Sequence, residues 1–440
     1  MPVLLLARRC GLSALVARLV TLGSPGGVNA HLKVPALVAG MVAGADSIDD
    51  MALLRHGGMR RVFAGVRAPS TLGTFLRSFT FGHVRQLDAV AARFLPALAR
   101  ATPVLAGAAQ VCFVDVDDTV KPTYGYAKAG AGRGYTGVKG LNALLAVVST
   151  PLAAPVIAAT RLRKGSTNSA RGAARLVTDA LHVARSAGAG GLVVVRADSA
   201  YYGHQVVAAA RRAGARFSVT VRMNPAVARA IAAIDDAAWT TIRYPHAIFD
   251  QDEQRWISDA EVAEVPFTAF TSHPHAQQVP ARLIVRRVKR LGPAPVQPQA
   301  GTQGELFTAY RYHAVFTDSP MAMLQAEVCH RQHAIVEQVI ADLKNGPLAH
   351  LPSGSFAANS AWLVLAAIAF NLTRAAGALA ARTHAKATTA TIRAQLITVP
   401  ARLARSARHL TLHLPTHWPW EHGWRDLLTA ATGPPTTAMT

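Results

Sequence analysis

Apolar positions in the first hundred residues recur at spacings of three and four. Met1 to Val20 alternates short apolar runs with arginines, which predicts an amphipathic helix; the runs are too short and too broken for a signal sequence. From Lys33 to Leu98 the helical period continues, interrupted at Gly57-Gly58 and at Ala68-Pro69. Ser70 and Thr71 are candidate N-caps there, and Leu72, Phe75, Leu76 and Phe79 mark an inner face. Beyond Ala101 the period changes. Val111 to Thr119, Leu141 to Ser149 and Val156 to Leu162 read as strands, followed by a helix from Ser169 to Ser186 with Leu176, Val177, Ala180, Leu181 and Val183 inward. A strand Gly191 to Ala197, a helix Tyr201 to Ala213 and a strand Arg216 to Arg222 complete this stretch.

Between Met223 and Phe307 the rhythm is lost, and short β-like segments, Trp239 to Tyr244 and Arg282 to Val288, predict a β-rich insertion. The strand Tyr310 to Thr317, one helix from Met321 to Lys344 and an apolar helix from Ala357 to Ala380 follow. The end is basic and holds the alternating Leu410-Thr-Leu-His-Leu segment. Three strands in meander, then alternating helix and strand, is the order of an α/β fold with an RNase H-like mixed sheet and flanking helices. The expected organisation is an N-terminal helical domain (1–105), a core (106–222 and 308–380), the β-rich insertion (223–307) and a basic C-terminal segment (381–440).

Composition narrows the function classes. The chain has 440 residues, and 46 Lys+Arg against 24 Asp+Glu give a net charge of +22. With a pI near 11.0 this excess points to a polyanion, most simply nucleic acid; a soluble basic protein, or a GC-rich genome that encodes Arg for Lys, is the bland alternative. No run approaches the roughly 18 uninterrupted apolar residues of a spanning helix, so no membrane partner is expected. Cys10, Cys112 and Cys329 are too few and too scattered for a disulfide framework or a zinc knuckle.

Three clusters could carry chemistry. In Asp115-Val-Asp117-Asp118-Thr119 the period of two places Asp115 and Asp117 on one strand face, with Asp118 opposite. Two carboxylates so close favour a bound cation. Asp198 ends a strand at Arg196-Ala-Asp198-Ser199, where open α/β sheets place ligands, although it could serve only as a helix cap. On the predicted helix, His330, His333, Glu337 and Lys344 fall on one stripe, which could equally be a solvated face. Gly132-Arg-Gly134-Tyr-Thr-Gly137 matches GxGxxG, yet it leads into a strand without the later acid, so no nucleotide cofactor is expected; Arg133 and Lys139 there are candidate phosphate contacts.

Together the strand-borne Asp-Asp-Thr, the later Arg-Ala-Asp-Ser and the Glu followed seven residues on by Lys resemble the DDE transposases of bacterial insertion sequences. The nearest branch carries a β insertion before the Glu, and within it stands insertion-sequence family thirteen-eighty. Ala68-Pro-Ser-Thr-Leu-Gly and His350-Leu-Pro-Ser-Gly extend the likeness along most of the chain. The resemblance implies a metal-binding triad of Asp117, Asp198 and Glu337, with Asp115 as an additional candidate ligand. It implies two Mg2+ ions, for which Mn2+ can substitute, and Lys344 near the DNA end. His330 and His333 stand where the branch usually has Tyr and Arg. Implied partners are the terminal inverted repeats and target DNA, with the N-terminal domain binding the ends, a homodimer in the DNA complex, and a bacterial cytoplasmic, nucleoid-associated location. Trp239 and Trp256, in the insertion, are candidates either for capturing an extruded base or for filling a small core. Two rivals remain at this level. Asp115-Val-Asp117-Asp118-Thr119 also spells the DxDxT of haloacid-dehalogenase-type phosphatases, with Asp115 as nucleophile, and a non-catalytic DNA-binding protein would share the charge.

Overall fold

The computed structural model describes every residue except 64, 125–127, 135, 244–248, 251–254, 257–259, 290–309, 408 and 434–440. The chain divides into two compact units, one of Met1–Val193 with Ile335–Thr440 and one of Val194–Ala334. The first unit opens with helices α1 (Pro2–Arg9), α2 (Leu12–Leu19), α3 (Ala30–Ala43), α4 (Met59–Val62), α5 (Pro69–Arg77) and α6 (Phe81–Ala101). Strands β1 (Val111–Pro122), β2 (Gly132–Arg133), β3 (Lys139–Ser149) and β4 (Val156–Lys164) follow, then α7 (Ala173–Ser186) and β5 (Leu192–Ala197), inside which the division falls. The second unit continues with α8 (His204–Arg212), β6 (Arg216–Val221), α9 (Pro225–Ala232), β7 (Thr240–Ile242), β8 (Phe249–Asp250), β9 (Arg255–Trp256), β10 (Ala260–Ala269), β11 (Val279–Lys289), β12 (Tyr310–Thr317) and α10 (Met323–Arg331). The first unit then resumes with α11 (Ile335–Lys344), α12 (Phe356–Ala380), α13 (Thr389–Ile392), β13 (Arg402–Ser406), β14 (His409–His413) and α14 (Glu421–Thr432).

In the first unit β3 lies between β1 and β4, antiparallel to both, as the meander predicts. Its apolar residues are buried along nearly its whole length, the signature of a strand covered on both faces. Helix α12 is the centre of this unit, packed against α3, α5, α6, α13, α14 and β4. It is longer than the uninterrupted apolar run because its polar residues are satisfied inside. Asn371 both accepts from and donates to the Ile157 backbone, each at 2.8 Å, which ties the helix to β4. Among the described residues α12 is the one helix long and apolar enough to cross a membrane, but 89% of its most apolar stretch is buried in the protein.

The second unit carries a mixed sheet in the order β5–β6–β12–β11–β10–β7, with β5 and β6 parallel and the remaining neighbours antiparallel. The molecule is thus α/β with a large mixed sheet.

Two predicted helices are corrected, the N-terminal one and the one before Lys344, and the sheet adds detail. The N-terminal segment is two helices, broken at Gly11, whose φ of +78° is a conformation that glycine adopts without strain. Residues 1–105 lie in the same compact unit as β1–β4. Within the segment read as a β-rich insertion, β7, β10 and β11 extend the sheet that holds β6, with β11 paired to β12 over eight residues. The predicted helix from Met321 to Lys344 is interrupted by a 3-10 turn at Gln332–Ala334.

Candidate active site

Strand β1 carries three acids in four positions, and the fold gives each a different environment. Asp115 is fully buried, and its Oδ2 accepts from Ser149 Oγ at 3.4 Å. Asp118, on the opposite strand face, is also buried; it accepts from Asn142 Nδ2 at 2.6 Å and Ser169 Oγ at 3.2 Å, and it pairs with Arg163. The Arg163 guanidinium donates in turn to the carbonyls of Ser169 and Arg171, each at 2.7 Å, and to Asn142 Oδ1 at 2.9 Å. Charges are compensated and donors are used, so this is a structural network. Asp117 differs. It is partly exposed, and its Oδ1 accepts the Asp118 N–H at 2.7 Å, which fixes the carboxylate near the surface.

Helix α11 packs against β1 and buries Val336, Val339, Ile340 and Leu343, while Glu337 stays exposed on the first turn. A residue outside the sequence candidates pins this helix. Buried Asp342 accepts from the Thr389 N–H at 2.9 Å, Thr389 Oγ1 at 2.5 Å and Arg374 Nη2 at 3.2 Å. Burial lowers the Arg374 pKa while the Asp342 charge opposes that shift. Lys344, in the last turn, lies beside Lys121 of β1: burial, and then the Lys344 charge, push the Lys121 ammonium below its usual range.

In the second unit Asp198 follows β5 directly and is exposed; its Oδ1 accepts the Ala200 N–H at 2.9 Å, capping the 3-10 turn Ser199–Tyr201. His330 is not on the helix that carries Glu337. It ends a separate helix, is buried, and places Nδ1 at 2.9 Å from Ser218 Oγ and Nε2 at 2.8 Å from Thr220 Oγ1, both on β6. With both ring nitrogens engaged inside the protein it is an anchor for α10, not a surface phosphate contact. His333, in the 3-10 turn, is half-buried and stacks on His330 with ring centroids 6.3 Å apart. Glu327, the other glutamate of this region, is buried and held by Arg286 at 3.3 Å and Arg331 at 2.8 Å.

The glycine-rich motif has a packing explanation. A Cβ on Gly134 would stand 2.6 Å from the Gly165 carbonyl oxygen, so the β2–β3 turn runs too close to the end of β4 for a side chain. Arg133 is exposed, with Nη1 donating to the Gly137 carbonyl at 2.7 Å, and Lys139 is exposed at the start of β3. Trp239 is half-buried beneath the Arg287 guanidinium, 4.1 Å from its ring centroid; Arg287 also lies 4.7 Å from the Tyr310 centroid and bonds Glu261 at 2.6 Å. Trp256 sits on β9 opposite Phe249, and its side chain lies outside the described residues.

Among the described residues no three His, Cys, Asp or Glu side chains are grouped closely enough to hold a metal ion. Residues 31–432 match the protein family described as transposase DDE domain group 1. The chain belongs to that family. It is therefore a DDE-type DNA transposase, and its substrate is DNA. A search of the curated proteins finds no match.

Proposed function

We propose that this transposase binds the ends of its insertion sequence, cleaves phosphodiesters there and transfers the 3′-OH ends to target DNA, using Asp117, Asp198 and Glu337 as its carboxylate triad. The observation that carries the assignment is the contrast along β1: Asp115 and Asp118 are sealed in the interior, and Asp117 is the acid presented to solvent beside the helix that bears Glu337. Lengths support the pairing. Four strand residues from Asp117 to Lys121 span about 13 Å, and seven helical residues from Glu337 to Lys344 span about 10.5 Å. The triad requires α11 to run alongside β1, so that Asp117 and Glu337, set back by similar distances from Lys121 and Lys344, fall at a similar level. The same contrast disfavours the phosphatase rival, because a nucleophile must meet its substrate and Asp115 is fully buried.

The donor set suits a divalent cation, since hard carboxylate oxygens are the ligands that Mg2+ prefers. Asp117, Asp198 and Glu337 would hold it once drawn closer together than the described residues stand, and when bound it would activate water and stabilise the leaving 3′ oxygen. The chain's own part is positioning. Backbone amides orient the Asp117 and Asp198 carboxylates, and Asp342 fixes the register of the Glu337 helix. Lys121 and Lys344 bring two ammonium groups to this edge, which suits contact with the DNA backbone.

The test is nicking of a plasmid carrying the element's ends, with Mg2+ or Mn2+. Asp117→Asn, Asp198→Asn and Glu337→Gln should each abolish nicking while end binding persists, because phosphate contacts by Arg and Lys carry affinity. Equal loss of binding and cleavage, or a stronger effect from Asp115→Asn than from Asp117→Asn, would overturn the triad.

A further inference from the structure

The C-terminal segment, to which the sequence assigns charge but no task, forms a two-stranded ribbon. Strands β13 and β14 pair antiparallel with Arg402 opposite His413, Ala404 opposite Thr411 and Ser406 opposite His409 on one face; Leu403 opposite Leu412 and Arg405 opposite Leu410 make the other. Among the described residues the pair forms its own sheet. Its leucine face is anchored at Leu403 and Leu412, while Leu410 on the same face is exposed. Leu403 packs so closely on Gly58 that a Cβ there would lie 2.5 Å from Leu403 Cδ1, and Leu403 and Leu412 line a groove of about 410 Å³ with Val62, Phe63 and Trp424. The opposite face points outward, with Arg402, Ser406, His409, Thr411 and His413 exposed, and Arg405 is exposed near the turn.

The chain segment that carries the ribbon is cationic. Between Asp342 and Glu421 the chain has no acidic residue, and among the described residues neither Arg402 nor Arg405 has a carboxylate partner; Arg405 Nε reaches only the Ala407 carbonyl, at 3.4 Å. An anchored ribbon whose outward face carries Arg402 among polar side chains, with Arg405 exposed near the turn on the other face, is five residues or about 17 Å long and matches a DNA major groove about 12 Å wide, which admits a two-stranded β-ribbon.

We infer that this ribbon is a DNA-reading surface that docks on the duplex of the element's own end. Arg402 and Arg405 engage phosphates, and His409 and His413 face base edges. Sequence reading is what a fixed end requires, and imidazole and hydroxyl groups on the face of Arg402 supply the donors and acceptors for it, which a purely electrostatic grip on arbitrary target DNA does not need. The inference rests on the proposed end-binding activity.

The experiment uses the full-length protein and two duplexes of equal length, one with the terminal inverted repeat read from the DNA flanking the gene and one unrelated. Affinity is followed by fluorescence anisotropy between 50 and 200 mM KCl for wild type, Arg402→Gln/Arg405→Gln, Arg402→Lys/Arg405→Lys and His409→Ala/His413→Ala, with circular dichroism melts to confirm folding. Each lost phosphate contact lowers the slope of log affinity against log salt by about 0.9, so the glutamine pair should flatten it by about 1.8. Over this fourfold range wild type should then lose about 12-fold more affinity than the glutamine pair. The lysine pair should restore the slope, and the histidine pair should narrow the preference for the end duplex. An unchanged slope in the glutamine pair, or an unchanged preference in the histidine pair, overturns the inference while wild-type binding leaves the proposed function standing. Wild type that shows no preference for the end duplex removes the end-binding reading itself, and this inference with it.

Discussion

Asp117 and Asp118 are neighbours in sequence with opposite assignments, and Asp118→Ala separates them. The Asp118 and Arg163 side chains are 3% and 7% exposed, so the substitution leaves a guanidinium buried without its counter-charge. Breaking such a pair costs about 3–5 kcal/mol. Arg163 keeps the Ser169 and Arg171 carbonyls and Asn142 Oδ1, which places the expected loss near the lower end, about 3 kcal/mol. With an m-value of about 3 kcal/mol/M the urea midpoint of the first unit should fall by about 1 M. The natural reporter is the fluorescence of Trp362, which is buried in that unit and donates to the Pro347 carbonyl at 2.6 Å. Arg163→Met in the Asp118→Ala background should recover part of the loss, because no charge is then left unpaired. Asp117→Asn, at a partly exposed position, should move the midpoint by an amount equivalent to about 0.5 kcal/mol or less and yet stop nicking. If Asp118→Ala leaves the midpoint unchanged and stops nicking, the assignment of the two acids is reversed and the reasoning from burial fails.

Two further outcomes follow from buried charge in the same unit. Burial raises the Asp88 pKa from 3.8 to about 6 against the opposing charges of Arg85 and Arg161, with Asp179 adding to the rise. The folded state therefore holds a proton that the unfolded chain releases, so stability falls as pH rises from about 4 through 6, by an amount of order 3 kcal/mol. Asp88→Asn should flatten that part of the pH–stability curve and raise the midpoint at pH 8; a curve with the wild-type slope would remove Asp88 as its source. Asp342→Ala should loosen the register of α11, lowering both the melting temperature and nicking. Asp342→Asn, which can keep the Thr389 bonds, should restore more nicking than stability, and a variant with normal nicking would show that α11 needs no such anchor.

What was legible in the sequence follows from how local each signal is. Continuous apolar runs located β1, β3 and β4 to within a few residues, because strands buried on both faces need them wherever they pair. The acids of β1 were legible as a cluster, and their parity separated Asp118 from the other two. That Asp118 belongs to Arg163, 45 positions away on β4, was not, since nothing in either segment encodes which strand pairs with which. The break between α10 and α11 was equally hidden. Gln332-His333-Ala334 contains no glycine or proline, and every residue there is compatible with a continuous helix. The interruption accompanies distant groups: Ser218 and Thr220 hold His330, while Thr389 and Arg374 hold Asp342. Two helical pieces anchored by different partners need not share one axis, and the stripe from His330 to Lys344 holds only if they do. Sequence spacing therefore remains a sound guide from Glu337 to Lys344, which lie on one uninterrupted helix, and ceases to be one at Ala334.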